Sequence, residues 1–388
     1  CIVIGGGFGG MACALRCRAL GLQVTLIERL ESLGGRAQVF ETNGFRHDAG
    51  PTIITAPFLF EELFVLFNEN LYDNVTFKSL SPWYRYVFHD GRTLDYGEDL
   101  AELKREIASF SEEDVKGYES LLSASRAMYK VGFEKLSDQP FISLFSMIKQ
   151  IPSLFKLRAD LTVSQLVNRH VKHPLLQQAF SIHPLLVGGN PFTTTSIYSL
   201  IHYLERKWGV YFCMGGTGVL VNALEELMKR QHIKILKGLD VKEIVTERGY
   251  ASGVNLSNNC FLPSNFIVCN VDPPTVYKEM MPCKGVFSFS AKKFIPERWT
   301  SYSMGLFVLY FGTFCKYPNV AHHTIWLSKR YRSLLSDIFE KGILAKDFSI
   351  YLHRPTATDP TFAPKGCDSF YALCPVPNLQ TSINWSVE

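Results

Sequence analysis

The apolar positions of the chain change period three times within its first thirty residues. Cys1-Ile2-Val3-Ile4 is an unbroken apolar run, the signature of a short strand buried on both faces. Gly5-Gly6-Gly7-Phe8-Gly9-Gly10 interrupts it, and from Met11 the spacing turns helical through Ala12, Ala14, Leu15, Arg18 and Leu20. Gly21 stops the helix, and Gln23 to Ile27 reads as a second strand that closes on Glu28. The pattern therefore predicts a βαβ unit with G-x-G-x-x-G at Gly5, Gly7 and Gly10. In such a unit the first glycine permits the tight turn and the second lets the main chain approach a pyrophosphate. The third lets the helix lie close to the sheet. The helix N-terminus faces the phosphates, and Glu28 stands where a carboxylate accepts hydrogen bonds from an adenosine ribose.

Further along, helical spacing recurs at Ile54 to Asn68, with Phe58, Leu59, Leu63, Leu66 and Phe67 expected inward. It recurs again at Asp99 to Ser109, Glu112 to Tyr129, Thr195 to Leu204 and Val219 to Arg230. Strand pieces occupy Ala37 to Phe40 and Val75 to Tyr96, the latter broken by the turn His89-Asp90-Gly91-Arg92. Ile233 to Leu236, Val241 to Thr246, Ala251 to Leu256 and Phe266 to Cys269 form a meander expected to return to the first sheet, with the edge near Val241 bordering an adenine. Ser301 to Phe311 is apolar on both faces, which predicts a strand that is buried or lipid-facing. The helix after Gly215-Gly216-Thr217-Gly218 lacks a strand of the usual kind before it, so this cluster is not read as a second dinucleotide fingerprint.

Pro140 to His173 differs in character. Phe141, Leu144, Phe145, Met147, Ile148, Ile151, Leu154, Phe155 and Leu157 are interleaved with Lys149, Lys156 and Arg158. The stretch reads either as an amphipathic segment in a membrane interface or as a core helix with a solvated rim. The 29 phenylalanines of the chain tip the reading toward the membrane. No apolar run reaches the ~20 residues of a membrane span. A formal charge of +4 argues against a nucleic-acid binder and permits attraction to anionic lipid. The 10 cysteines lack metal or disulfide spacing, so free thiols in a reducing, cytoplasmic compartment and no metal are expected. With 388 residues there is room for two or three domains. The chain opens inside a core strand, which suggests a fragment at its N-terminus.

After Glu28 comes Leu33-Gly34-Gly35-Arg36, where adjacent glycines again permit close approach and Arg36 offers a fork for phosphate oxygens. A Gly44-Phe45 turn leads into Arg46-His47-Asp48-Ala49-Gly50-Pro51-Thr52. Nicotinamide enzymes do not need this second cluster; an extended flavin dinucleotide does. Together these stretches resemble the flavin amine oxidase and carotenoid desaturase superfamily. LLVGGNPFTTTSIY from Leu185, LFVLYFGTFCKYPNVAHHT from Leu306, DFSIYLH from Asp347 and TDPTFAPKGCDSFYALCPVPNL from Thr358 narrow the resemblance to bacterial-type phytoene desaturases.

That resemblance implies an α/β fold: a Rossmann-like FAD-binding domain (1–75 and 214–285), a mixed-sheet substrate domain (76–130 and 286–388) and a helical, membrane-facing subdomain (131–213). It implies FAD as cofactor, held through Gly5, Gly7, Gly10, Glu28, Gly35, Arg36, Gly50 and Val241. It also implies a peripheral membrane enzyme that turns phytoene, a C40 polyene, towards lycopene, with a quinone or oxygen as candidate electron acceptor. The family's second flavin-contact motif, near its C-terminus, falls beyond Glu388, so the FAD site is expected to be incomplete as given. Desaturation removes a hydride and a proton, and the cofactor carries the hard step. His183, His202, His322, His323 and His353 could accept the proton, but each reads first as structural, as does Asp48 beside Gly50, and no catalytic residue is named. An FAD-dependent carotenoid isomerase, a flavin amine oxidase and an inactive flavin-binding or membrane-scaffolding fragment are the alternatives.

Overall fold

In the computed structural model, residues 1–140, 152, 155, 157–281 and 302–385 are described. The chain divides into two compact units, Cys1–Lys78 with Phe212–Ser301, and Ser79–Tyr211 with Tyr302–Glu388. Most of the amphipathic 141–157 stretch lies outside the described residues. Among the described residues no helix is long and apolar enough to cross a membrane.

The first unit is built on a four-stranded parallel sheet in the order Ile267–Cys269, Ile2–Ile4, Thr25–Ile27, Lys234–Leu236. Val3 pairs with Leu26 on one side and Val268 on the other, which makes Ile2–Ile4 a central strand and accounts for its unbroken apolar run. The helix Phe8–Ala19 lays Met11, Ala14 and Leu15 on the sheet, and the helix Thr217–Arg230 packs beside it. A three-stranded antiparallel meander follows: Val241–Glu247, Tyr250–Leu256 and Phe261–Pro263. Val241, Ile244, Val254 and Leu256 from the meander share one core with Ile2, Ile4 and Ile27. The hairpin Val39–Thr42 with Phe45–Asp48 turns on Asn43 and Gly44, both at positive φ (52° and 77°), as a two-residue primed turn requires.

The helix expected over Ile54 to Asn68 is shorter, Phe58–Val65. Leu63 and Phe64 are its buried residues, whereas Leu59 and Leu66 are exposed, so the inward face expected from spacing is rotated.

The second unit carries a six-stranded mixed sheet in the order Gly305–Thr313, Asp368–Val376, Ile350–His353, His323–Trp326, Tyr84–Val87, Thr93–Tyr96. Only the pairing of His323–Trp326 with Tyr84–Val87 is parallel. Helices Leu100–Phe110, Glu112–Gly132, Val163–His170, Pro174–Ser181 and Leu200–Trp208 belong to the same unit. Gly117 lets Glu112–Gly132 pass tightly by residue 170, because a Cβ there would lie 2.1 Å from the His170 carbonyl oxygen. Gly305–Thr313 is an edge strand of this sheet, and Leu306, Phe307 and Leu309 are each half exposed, on both of its faces. Burial of that strand, one of the two expectations, is not what the fold provides.

Candidate functional site

The glycine turn sits at the carboxyl ends of the parallel strands, where open α/β sheets bind ligands. Gly5 leaves the first strand at φ 97°, a conformation that favours glycine. A Cβ on Gly10 would lie 1.9 Å from the Gly5 carbonyl oxygen, so the close helix–strand contact expected there is present. Gly7 is the N-cap of the helix Phe8–Ala19 at φ −71°, ψ 174°, with no side-chain cap and no acidic residue in the first turn. Any L-residue adopts that backbone. Among the described residues a Cβ on Gly7 would meet only Gly34 and Gly35 atoms, at 3.9 Å, an ordinary contact. The protein's own packing therefore explains glycine at 5 and 10 but not at 7. A ligand approaching the main chain does explain it, and in this respect the residues fit a dinucleotide.

Glu28 is buried at the end of the second strand. Its Oε2 accepts from the Gly6 N–H at 2.6 Å and its Oε1 from the Leu30 N–H at 2.9 Å. Each oxygen keeps a second lone pair, so ribose hydroxyls can be accepted with both backbone bonds intact. The Gly-Gly-Arg segment folds onto the same turn: the Gly34 N–H donates to Gly6 O at 2.9 Å, and Gly7 and Gly34 form a parallel bridge. Gly35, at φ 59°, faces Gly7, since a Cβ on it would lie 3.0 Å from the Gly7 Cα. Arg36 is exposed and forms no ion pair among the described residues. Gly50 packs on its backbone, where a Cβ would lie 2.1 Å from Arg36 O. Val241 is buried in the core with Ile2, Ile4 and Ile27, two residues beyond Leu239, whose N–H donates to the Glu28 carbonyl at 3.1 Å.

Two partnerships in this region escape a reading of the sequence. Asn270 follows the strand Ile267–Cys269, and its side chain stands where a Cβ on Gly9 would lie 2.9 Å away. Its signal is positional: it follows the strand Ile267–Cys269 as Gly5 follows the strand Ile2–Ile4, with which that strand pairs. The second partnership is Asp48 with Thr217. Both carboxylate oxygens accept from the Thr217 N–H, at 3.2 and 3.3 Å, at the start of the helix Thr217–Arg230. Asp48 thus ties down a helix end 169 residues away, where a role in its own turn beside Gly50 was expected. Burial pushes its carboxyl up to about 6, against the lowering effects of the Thr217 bond and of Arg46.

Residues 8–339 match the model of the flavin containing amine oxidoreductase family. The chain belongs to that family. It is 43% identical to a lycopene-forming phytoene desaturase of Pseudescherichia vulneris over 388 residues, which is all of this chain and 78% of the relative. A neurosporene-forming phytoene desaturase of Rhodobacter capsulatus is 39% identical, over all of this chain and 74% of the relative. Among solved structures, the PF1083 protein of Pyrococcus furiosus superposes with a TM-score of 0.65 at 16% identity, covering 98% of this chain and 81% of that one. Putrescine oxidase with putrescine bound gives 0.60 at 11%, over 97% and 75%. At such identities these two speak for the fold alone. As a member of this family the chain is an oxidoreductase with a flavin cofactor, within the phytoene desaturase branch.

The second unit of this flavoprotein holds the five histidines considered above, all buried. Glu205 is a buried carboxylate that accepts from the Tyr84 hydroxyl at 2.8 Å and stands 3.2 Å from His183 Nε2. His202 Nε2 lies 2.9 Å from the Phe180 carbonyl oxygen, and its ring centroid is 4.2 Å from that of His183. Desolvation, with His183 adding to it, holds His202 well below the usual imidazole range. His322, His323 and His353 form a separate group, where burial brings His323 down to about 3 and His322 well below normal.

Proposed function

We propose that the protein catalyses FAD-dependent desaturation of phytoene, a C40 polyene, towards lycopene in carotenoid biosynthesis. The observation that carries this reading is the 43% identity to a lycopene-forming phytoene desaturase across the whole chain. A bound flavin would supply the hydride acceptor for removal of one hydride, with loss of a proton from the neighbouring carbon.

The part of this chain is to hold and orient. Gly5, Gly7 and Gly10 with the uncapped N-terminus of Phe8–Ala19 would receive the pyrophosphate. Glu28 would bind the adenosine ribose, and the backbone beside Val241 would border the adenine. Gly35 and Arg36, with Gly50 behind them, would serve the second half of the dinucleotide. Discrimination of FAD from smaller flavins rests on this pyrophosphate and ribose set.

A polyene hardly leaves a bilayer, so the reading extends to peripheral attachment at a cytoplasmic membrane face. The basis is the alternation of Phe141, Leu144 and Phe145 with Lys149, Lys156 and Arg158 in the sequence. A quinone or oxygen would take the electrons from the reduced cofactor.

The test is expression in cells that accumulate phytoene, followed by pigment chromatography. Coloured carotenes of lower hydrogen content are expected. Unchanged phytoene in cells holding flavin-loaded protein would sink the proposal, and a product isomeric with the substrate would replace desaturase by isomerase.

A further inference from the structure

His323 and His353 stand directly opposite each other on two antiparallel strands of the six-stranded sheet, so their side chains share one face. His322, just before its strand, is tied to the same place, because its carbonyl accepts from the Arg354 N–H at 2.8 Å. The three rings are buried, with centroids 4.5, 4.8 and 5.2 Å apart. One ring nitrogen of each lies within 4.8 Å of the others.

Three features separate this group from histidines that merely fill a core. First, two rings are oriented by hydroxyls. His323 Nδ1 is 2.6 Å from the Tyr351 hydroxyl, and His322 Nδ1 is 2.6 Å from Thr358 Oγ1. If Nδ1–H donates to these oxygens, the lone pair of each ring falls on Nε2, the arrangement that presents a histidine to a metal. Second, His323 Nε2 is buried and has no hydrogen-bond partner among the described residues, which is costly in a dry interior unless something is bound there. Third, the neighbouring cation is already balanced: the Arg354 guanidinium bonds to the Tyr317 carbonyl and faces Asp368 Oδ2 at 3.4 Å. It therefore adds little net positive charge against an incoming ion.

We propose that His322, His323 and His353 form a binding site for a single transition-metal ion of the Zn2+ class. An all-imidazole set suits borderline ions rather than Mg2+ or Ca2+, which prefer oxygen. Zn–N bonds of about 2.0–2.1 Å require ligand atoms roughly 3.4 Å apart, a closure that rotation about the broad imidazole χ2 provides. Three protein ligands leave a fourth position for water or an added anion. The ion would pin the two strands at His323 and His353 to the segment carrying His322. All three ligands belong to the second unit, and the proposal does not rest on the reaction proposed above.

The test uses the full chain stripped with a chelator and titrated with Zn2+ alone, with Co2+ as a spectroscopic probe. One equivalent of tightly bound metal is expected, with Co2+ giving the intense visible bands of a low-coordinate nitrogen site and Zn2+ raising the melting temperature. His353→Phe removes a ligand but keeps an aromatic ring, which matters because His353 stacks on Tyr371 at 5.0 Å. It should abolish stoichiometric uptake. Failure of the parent to bind one equivalent, or equal uptake by a folded His353→Phe, overturns the proposal. Should that variant not fold, Tyr351→Phe keeps all three ligands and loses only the hydroxyl at His323. A fall of about 10–100-fold in metal affinity is then expected, and unchanged affinity overturns the site.

Discussion

Gly7 and Gly10 of the turn should respond to a single added methyl in opposite ways. Gly10→Ala places a Cβ 1.9 Å from the Gly5 carbonyl oxygen and 3.0 Å from its carbon, both backbone atoms of the same turn. Neither can swing aside, so the cost lies at or above the ~3 kcal/mol upper end for overpacking. Gly7→Ala meets nothing closer than 3.9 Å and keeps an ordinary φ of −71°. Restricting the unfolded chain stabilises by about 0.4–1 kcal/mol. The poorer N-cap quality of alanine offsets roughly that amount, leaving a net change within about 1 kcal/mol. The space the methyl enters is where a pyrophosphate would approach the main chain. Overpacking of about 1–3 kcal/mol there corresponds to a loss of about 5–150-fold in flavin affinity, and the larger Gly7→Val should abolish binding. The measurements are the flavin-to-protein ratio after purification, a flavin titration of the apoprotein and thermal melts by circular dichroism. Gly7→Ala should melt like the parent yet lose flavin, whereas Gly10→Ala should lose its fold. Stoichiometric flavin in Gly7→Ala would refute the placement of the phosphates. A melting point as low as that of Gly10→Ala would show that Gly7 is structural.

Glu28→Gln keeps one acceptor oxygen but turns an amide toward the Gly6 or Leu30 N–H; flavin affinity should weaken by about 1–2 kcal/mol, and an unchanged titration would remove Glu28 from the site. For Asp48, the folded-state value of about 6 lies above the ordinary 3.8, so the folded chain holds this proton more tightly than the unfolded one. Its contribution is therefore greatest below about pH 4 and is lost as pH rises to about 6, a span worth about 3 kcal/mol. Asp48→Asn should flatten the melting curve over that window, and an identical slope in the variant would show that another group titrates. Glu205→Ala strands the Tyr84 hydroxyl and His183 in the core and should cost about 3–5 kcal/mol, read by calorimetry; a loss under ~1 kcal/mol would mean the pair is not buried as described. Replacing Phe141, Leu144 and Phe145 together by Ser should end liposome binding without loss of flavin; co-sedimentation equal to the parent's would place membrane attachment elsewhere.

The glycine turn is legible in the sequence because its causes are local. A strand, a positive-φ glycine, a helix and a terminal carboxylate follow one another within 28 residues, and each owes its place to neighbours in the chain. The meander from Val241 and the hairpin at His89–Arg92 are legible for the same reason: period-two alternation and turn residues act over a few positions. What the tertiary structure alone decided are pairings with no local cause. Asp48 meets Thr217 across 169 residues, and Asn270 closes on Gly9 because the strand before it lies next to the first strand in the sheet. Spacing also misplaced the inward face of Phe58–Val65, because which side of a short apolar helix is buried depends on what packs against it. Ser301 to Phe311 reads as a strand that is buried or lipid-facing, and it is the place of Gly305–Thr313 at the sheet edge that leaves Leu306, Phe307 and Leu309 half exposed. His353 lies thirty positions beyond His323. It is strand register, settled by the whole sheet, that sets the two residues opposite each other, with their rings 5.2 Å apart and tilted by 54°.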